Sequence, residues 1–412
     1  MNNYIFCLVI FIVLLLKMIL NILQAWTIKS NNKKLPSMFA NYITLNEHQT
    51  AAKYNIAKLN LNLWQIVFEA IIMILFTVGG GIEFINNVVS KYINTSSLSF
   101  GVAVMILYFL INAILNLPFA YISTFYIETK YGFNKTTRLL FIVDLLKGLM
   151  IGAVVVIPLL YLVLWLMNTM GSSWWLWVFA TIVGFNILVM MIYPVFIAPI
   201  FNKFEPLDDE NLKVKINKLL NTIGFKSKGV FIMDGSKRSS HGNAYFTGIG
   251  SAKRIVFFDT LIKKLTPEQI LAVLAHELGH FKKKHIIKQI IMNFIIMFIM
   301  LFISSHLLLE PIFYSSLGVT TINTANGLLL LMIVFNLVEL PLAPLMSYLS
   351  RKNEFEADEF AIKYTNKNDL IDGLMKLYKD NASTLTPNKY YVKFYYSHPP
   401  ASERIKALEL LN

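Results

Sequence analysis
The stretch Tyr4–Leu23, YIFCLVIFIVLLLKMILNIL, is apolar throughout apart from Lys17 and Asn21. Wound as a helix at about 1.5 Å per residue, it reaches about 30 Å, the thickness of a bilayer's hydrocarbon core. No basic segment precedes it and no small-residue cleavage site follows, so a retained membrane helix is expected rather than a signal peptide. Six further runs share this character: 63–83, 101–123, 148–168, 174–199, 286–309 and 327–349. Two of them are interrupted. Gln65, Glu69 and Gly79-Gly80-Gly81 break up 63–83, and Glu339 with two prolines breaks up 327–349.

The composition of all 412 residues agrees with a membrane chain. Hydrophobic residues make up 56%, aromatic residues 14%, and charged residues only 15%, where soluble domains carry about 25% charged. Mean hydropathy is +0.57. Too little polar surface remains to cover a protein of this size in water. A mainly α, polytopic membrane protein with seven transmembrane helices is expected, with membrane lipids as its surroundings.

The net charge of +13 would suit nucleic acid, but no zinc-finger, RNP or helix-turn-helix signature is present and no nucleic-acid partner is expected. The charge instead sorts by side. If the seven runs span, alternate loops hold 34 and 1 of the Lys and Arg residues, with Lys17 and Lys288 inside spans. The positive-inside rule then puts the N-terminus outside and the two long polar segments in the cytoplasm. The single cysteine, Cys7, lies in the first apolar run, so there is no disulfide framework and no thiolate metal site.

The domain plan follows. Residues 1–200 hold spans one to five, 201–285 a cytoplasmic unit, 286–350 spans six and seven, and 351–412 a second cytoplasmic segment. Within 201–285 a polar helix is expected from Pro206 to Leu220. Strands are expected at Gly229–Asp234, Asn243–Thr247 and Arg254–Asp259, making a small sheet. A helix should open at Thr266, with Pro267 in its first turn and Gln269 completing a capping box.

That helix contains His276-Glu277-Leu278-Gly279-His280. Two histidines four apart lie about 40° apart around a helix, so both rings can reach one ion. Glu277, about 100° round from His276, sits beside that ion and can take a proton from a water it activates. This is the zinc-peptidase pattern. In a chain this long the bare pattern arises by chance on the order of once in a hundred sequences. A catalytic site needs a third protein ligand and an open position. Glu354 and Asp358 are four apart in Arg351-Lys-Asn-Glu354-Phe-Glu356-Ala-Asp358-Glu359, while Glu356 points about 200° away. A ligating Glu354, with Asp358 orienting a ligand histidine, fits the habit of supporting metal ligands from behind. Alone, the segment reads as a solvated acidic helix start. One Zn2+ is expected, held by His276, His280 and Glu354. His285, five residues after His280, would lie about 140° further round a continuous helix and is not expected to ligate.

These residues carry a resemblance. Ala275-His-Glu-Leu-Gly-His-Phe-Lys282 and Glu354-Phe-Glu-Ala-Asp358, together with His241-Gly-Asn243-Ala-Tyr-Phe246 and Ser397-His398-Pro-Pro-Ala-Ser-Glu-Arg404, resemble the type I CAAX prenyl endopeptidases, which are integral-membrane zinc metalloproteases. The resemblance covers nearly the whole chain. It implies that Glu277 is general base and acid, and that the catalytic residues Asn243 and His398 flank the substrate and donate to the developing oxyanion. Alone, Asn243 reads as a turn residue and His398 as a capping or buried histidine. The resemblance also implies a barrel of seven helices around an aqueous chamber, which would give Glu69 and Glu339 somewhere wet to face. Asp358 is expected behind the ligands. For Arg404 the choice among Glu354, Asp358 and a substrate carboxylate stays open.

The implied substrate is a peptide or protein, possibly lipidated: a CAAX segment cut just after its isoprenylated cysteine. A chain rich in Lys, Asn and Ile, ending at Leu410-Leu411-Asn412 without a retrieval signal, suggests a bacterial inner membrane, with the site on the cytoplasmic side. Bacteria do not generally prenylate, so the alternative is a quality-control protease of the heat-shock membrane type that cuts damaged membrane proteins. A reading from another class is a transporter with a structural zinc, which Glu277→Gln would leave working. An extended substrate is also expected to add to the edge of strand Asn243–Thr247.

Overall fold
The computed structural model describes residues 2–247 and 254–411. Its first half is helical: α1 (Asn2–Asn31), α2 (Leu45–Phe76), α3 (Gly81–Val89), α4 (Leu98–Ile122), α5 (Arg138–Thr169), α6 (Trp174–Ile192) and α7 (Ala198–Phe201). Turns of π-helix at Ser123–Glu128 and Tyr193–Ile197 continue α4 and α6. Among the described residues seven helices are long and apolar enough to cross a bilayer, and each overlaps one of the seven expected runs.

The helices overrun the membrane. Hydropathy detects only the part in hydrocarbon, whereas a capped helix continues into water. The second span, expected over 63–83, begins at Leu45, where Thr44 and Glu47 form a capping box, and stops at Phe76. The glycines end it. Gly80 takes the left-handed conformation (φ 79°) and α3 starts anew at Gly81.

The polar unit opens with β1 (Phe204–Pro206) and α8 (Glu210–Ile223), followed by β2 (Val230–Met233), β3 (Ala244–Thr247) and β4 (Arg254–Phe258). Three strands fall where expected. β1 is an addition, too short and Pro-terminated to show a period. The sheet order is β1-β2-β4-β3, with β2 and β4 parallel and the other pairs antiparallel, so β3 is an edge. Then come α9 (Asp259–Ile262) and α10 (Pro267–Lys282). The capping box at Thr266 is present: its hydroxyl accepts from Gln269 N–H at 3.3 Å, and Gln269 Oε1 accepts from Thr266 N–H at 3.1 Å.

The remaining helices are α11 (His285–Leu307), α12 (Pro311–Ser316), α13 (Thr324–Ala361), α14 (Lys367–Asp380), α15 (Lys389–Tyr395) and α16 (Ala401–Leu410). α13 is the seventh span. It runs on through Pro341, Pro344 and position 350, so the Glu354 segment is the end of a membrane helix. α8, α10, α14, α16 and the sheet share one core, with Ile216, Phe257, Leu274, Leu278, Leu370 and Leu408 fully buried in it. Each such side chain contributes about 1.5–3 kcal/mol, enough to fix α10 as a rigid platform.

Glu69 and Glu339 both line one cavity of about 340 Å³ among the spans, with Lys17, Asn112, Asn116 and Asn336. Glu69 Oε1 accepts from Gln65 Nε2 at 2.9 Å. This polar lining is the expected alternative to lipid for ionisable groups in spans. The cavity shares Asn116 with a second of about 600 Å³, whose walls include Asn55 and Tyr396. Those two residues also line a third, of about 430 Å³, under α10.

Candidate metal centre and active site
α10 brings His276 and His280 onto one face, one helical turn apart, with Nε2 atoms 3.2 Å from each other. α13 crosses that face. Gly279 makes this possible, since a Cβ there would meet Ala357 Cα at 3.0 Å and Ala357 O at 3.1 Å. Glu354, one turn before Ala357, thereby reaches both rings. Its Oε2 lies 3.4 Å from His276 Nε2 and its Oε1 3.2 Å from His280 Nε2. Among the described residues these three are the group able to hold a metal ion.

The fit can be tested on the donors themselves. The 3.2 Å between the two Nε2 atoms matches the edge of a tetrahedron whose donors lie ~2.0–2.1 Å from its centre, and Glu354 brings one carboxylate oxygen to each ring at 3.2–3.4 Å. Glu354 Oε2 is buried and has no hydrogen-bond partner of acceptable angle. With Arg404 Nη1 no closer than 3.4 Å, that buried oxygen keeps a lone pair for a metal ion. Two imidazoles and one carboxylate form a donor set that suits zinc.

Behind the donors, His276 Nδ1 donates to Asp358 Oδ1 at 2.8 Å. Arg404 resolves its open choice by gripping Asp358 with Nε at 2.8 Å and with Nη2, while Nη1 sits 3.4 Å from Glu354 Oε2. Asp358 and Arg404 are both buried. Burial opposes protonation of His276, but Asp358 and Glu354 outweigh it and raise its pKa to about 9.

The cavity of about 430 Å³ in front of the donors is lined by Asn243, Glu277, Tyr378 and His398 along with His276 and Glu354. Burial raises the Glu277 pKa above the ordinary carboxylate value. Asn243 precedes β3 and is exposed; its Oδ1 accepts from Ala244 N–H at 2.8 Å, which leaves its NH2 as donor. His398 sits before Pro399-Pro400, with Nδ1 3.0 Å from Glu354 Oε2 and its side chain 64% exposed. All eight expected site residues thus converge here.

Three supporting residues were not expected. Asn381 Oδ1 accepts from Gly242 N–H at 3.3 Å and faces His241 Nδ1 at 3.1 Å, anchoring the loop that carries Asn243. His285 and Glu356 approach His280 from behind. The helical-wheel argument for His285 fails because α10 and α11 are separate helices: Lys284 is left-handed, at φ 58°.

Known proteins show the same architecture. Residues 24–203 match the CAAX prenyl protease N-terminal family, with five membrane helices, and residues 206–411 match peptidase family M48. CAAX prenyl protease 1 of Saccharomyces cerevisiae is 36% identical over 320 residues, covering 73% of this chain and 70% of the relative. The Arabidopsis thaliana homologue is 38% identical over 303 residues, covering 72% and 70%. The chain belongs to peptidase family M48. The crystal structure of S. mikatae Ste24p matches it with a TM-score of 0.92 and 30% identity, covering 99% of this chain and 98% of that one. This M48 chain is therefore a multi-pass integral membrane metalloendopeptidase.

Proposed function
We propose that the chain is a zinc endopeptidase that cuts CAAX-type, isoprenylated C-terminal segments after the cysteine. The observation that carries this reading is the meeting of His276, His280 and Glu354 in a donor triangle, with Glu277 on the cavity in front of it. His276, His280 and Glu354 would hold one zinc. When bound, zinc polarises the scissile carbonyl and lowers the pKa of a coordinated water to about 7.

The chain's own residues do the rest. Glu277, with its raised carboxyl pKa, accepts the proton of the attacking water and returns it to the leaving amine. No covalent enzyme intermediate is needed. The Asn243 NH2 and the His398 ring N–H donate where negative charge develops on the carbonyl oxygen. Asp358 holds His276 in the tautomer that presents Nε2 to the metal, and Arg404 holds Asp358.

The charge asymmetry supports a cytoplasmic active site, with residues 201–285 and 351–412 forming the chemical unit and the spans forming the rest. Composition supports a bacterial inner membrane, while the relatives named above are eukaryotic. The CAAX class rests on the relatives' names, CAAX prenyl protease 1 and its homologue.

The test is cleavage by detergent-purified, zinc-loaded protein of a farnesylated CAAX peptide and its unprenylated twin. Preferential cutting of the lipidated peptide is expected. Equal cutting of both would replace this reading with that of a general membrane-protein protease.

A further inference from the structure
His276 and His280 are supported differently. The Nδ1 of His276 meets a buried carboxylate directly. The Nδ1 of His280 instead lies 3.0 Å from Nδ1 of His285, and the His285 Nε2 lies 3.1 Å from Glu356 Oε2. His285 is buried at 3% exposure, while Glu356 reaches the surface at 31%. The two rings meet edge to face, 5.1 Å apart at 74°.

The protons along this line have one consistent assignment. If Nε2 of His280 faces the metal, its Nδ1 must carry the proton and donate to His285. His285 Nδ1 is then an acceptor, so its own proton sits on Nε2 and is donated to Glu356. Every ring nitrogen has one role and none is left over. The backbone is bent to make this contact. In a continuous helix residue 285 would lie about 7.5 Å along the axis from residue 280 and on another face. Lys284, in the left-handed region at φ 58° and ψ 32°, separates α10 from α11, and His285 opens α11 with its ring against that of His280. L residues other than glycine rarely adopt that conformation.

We propose that His285 and Glu356 are positioning residues that fix the tautomer and ring orientation of His280 as a metal ligand. The proposal rests on the zinc reading above. It makes the centre asymmetric, with one ligand held by a buried ion pair and the other through a second imidazole to a carboxylate open to solvent.

The experiment is chelator-competition titration of zinc into the full-length protein in detergent, together with the visible spectrum of its Co2+ form. His285→Leu is expected to weaken metal binding about 10–100-fold and to shift the Co2+ bands. Glu356→Ala should give a smaller loss in the same direction. The double variant should be no weaker than His285→Leu alone, because the two residues act in series. His285→Gln, whose amide oxygen can accept from His280, should recover part of the affinity. Wild-type affinity and an unchanged Co2+ spectrum in folded His285→Leu would overturn the proposal. Should that variant fail to fold, the same result in surface-placed Glu356→Ala would overturn it. A wild-type protein that binds no zinc would overturn the zinc reading instead, a separate outcome.

Discussion
Asp358 links two residues that the chain keeps far apart: it accepts from His276 Nδ1 at 2.8 Å and from Arg404 Nε at 2.8 Å. The ligand histidine, the carboxylate and the guanidinium come from α10, α13 and α16, so one buried ion pair ties three helices together behind the metal donors. Removing either partner leaves the other charge buried. Arg404→Leu is therefore expected to destabilise the protein by about 3–5 kcal/mol. Arg404→Leu with Asp358→Asn should recover part of the loss, since Asp358 is no longer left as an unpaired buried charge, although Glu354 still loses the guanidinium 3.4 Å away. Chemical denaturation of the three proteins measures this, and a double variant less stable than Arg404→Leu would contradict it.

Gly279 sets the distance between α10 and α13. A methyl group there would press on the Ala357 backbone at 3.0–3.1 Å, so α13 must move by a few tenths of an ångström and take Glu354 with it. Gly279→Ala is expected to lower zinc affinity by on the order of tenfold and stability by about 1–3 kcal/mol through overpacking. Zinc competition and thermal unfolding check the two effects separately. Unchanged zinc affinity would show that the donors do not depend on this contact.

Glu277 has a carboxyl pKa raised by burial from the ordinary 4.5. The folded state then binds its proton more tightly than the unfolded state does. Such a group lowers stability as the pH rises above 4.5, and the penalty is complete once the pH exceeds the folded pKa. In chelator-treated protein, Glu277→Gln should therefore melt higher than wild type at pH 8. The advantage should vanish as the pH falls to about 4.5. A variant that melts lower at pH 8 would contradict the sign.

The free side of β3 tests the substrate edge. Phe258 N–H donates to Asn243 O at 3.0 Å. Alternation along an antiparallel pair then turns Tyr245 and Thr247 toward β4 and leaves the N–H of Phe246 facing outward. If an extended substrate pairs there, Phe246→Pro should cut turnover at least about tenfold, the cost of one ~1.4 kcal/mol hydrogen bond, with zinc content unchanged. Phe246→Ala keeps the N–H and loses only the ring that packs on Phe225. Equal loss in both variants would assign the effect to packing. Thr247→Pro is a harsher probe because it also removes a bond to β4.

The sequence made the spans legible because a bilayer demands about 20 apolar residues, and the ligands legible because their spacing on a helix is fixed chemistry. It did not show where helices end in water. α2 begins eighteen residues before its apolar run, because Thr44 and Glu47 cap it there. α13 passes two prolines and carries Glu354 on the membrane helix itself. Position 350 therefore reads as a boundary in composition but not in structure. His285 was misplaced on the helical wheel for the same reason: spacing arithmetic assumes one continuous helix, and a left-handed lysine is invisible to it. The five-residue separation of His280 and His285 was the available signal, joined to a Glu356 set off the Glu354 face. Asn381 carried no signal, since it meets Gly242 only through tertiary packing.

The decisive measurement compares two proteins on two readouts. Wild type and Glu277→Gln are each assayed for bound zinc and for cleavage of the farnesylated CAAX peptide. About one zinc per chain is expected in both proteins, with cleavage in wild type and none above background in the variant. Zinc bound in both with equal cleavage, or no zinc in the cleaving wild type, would contradict a metal centre served by Glu277.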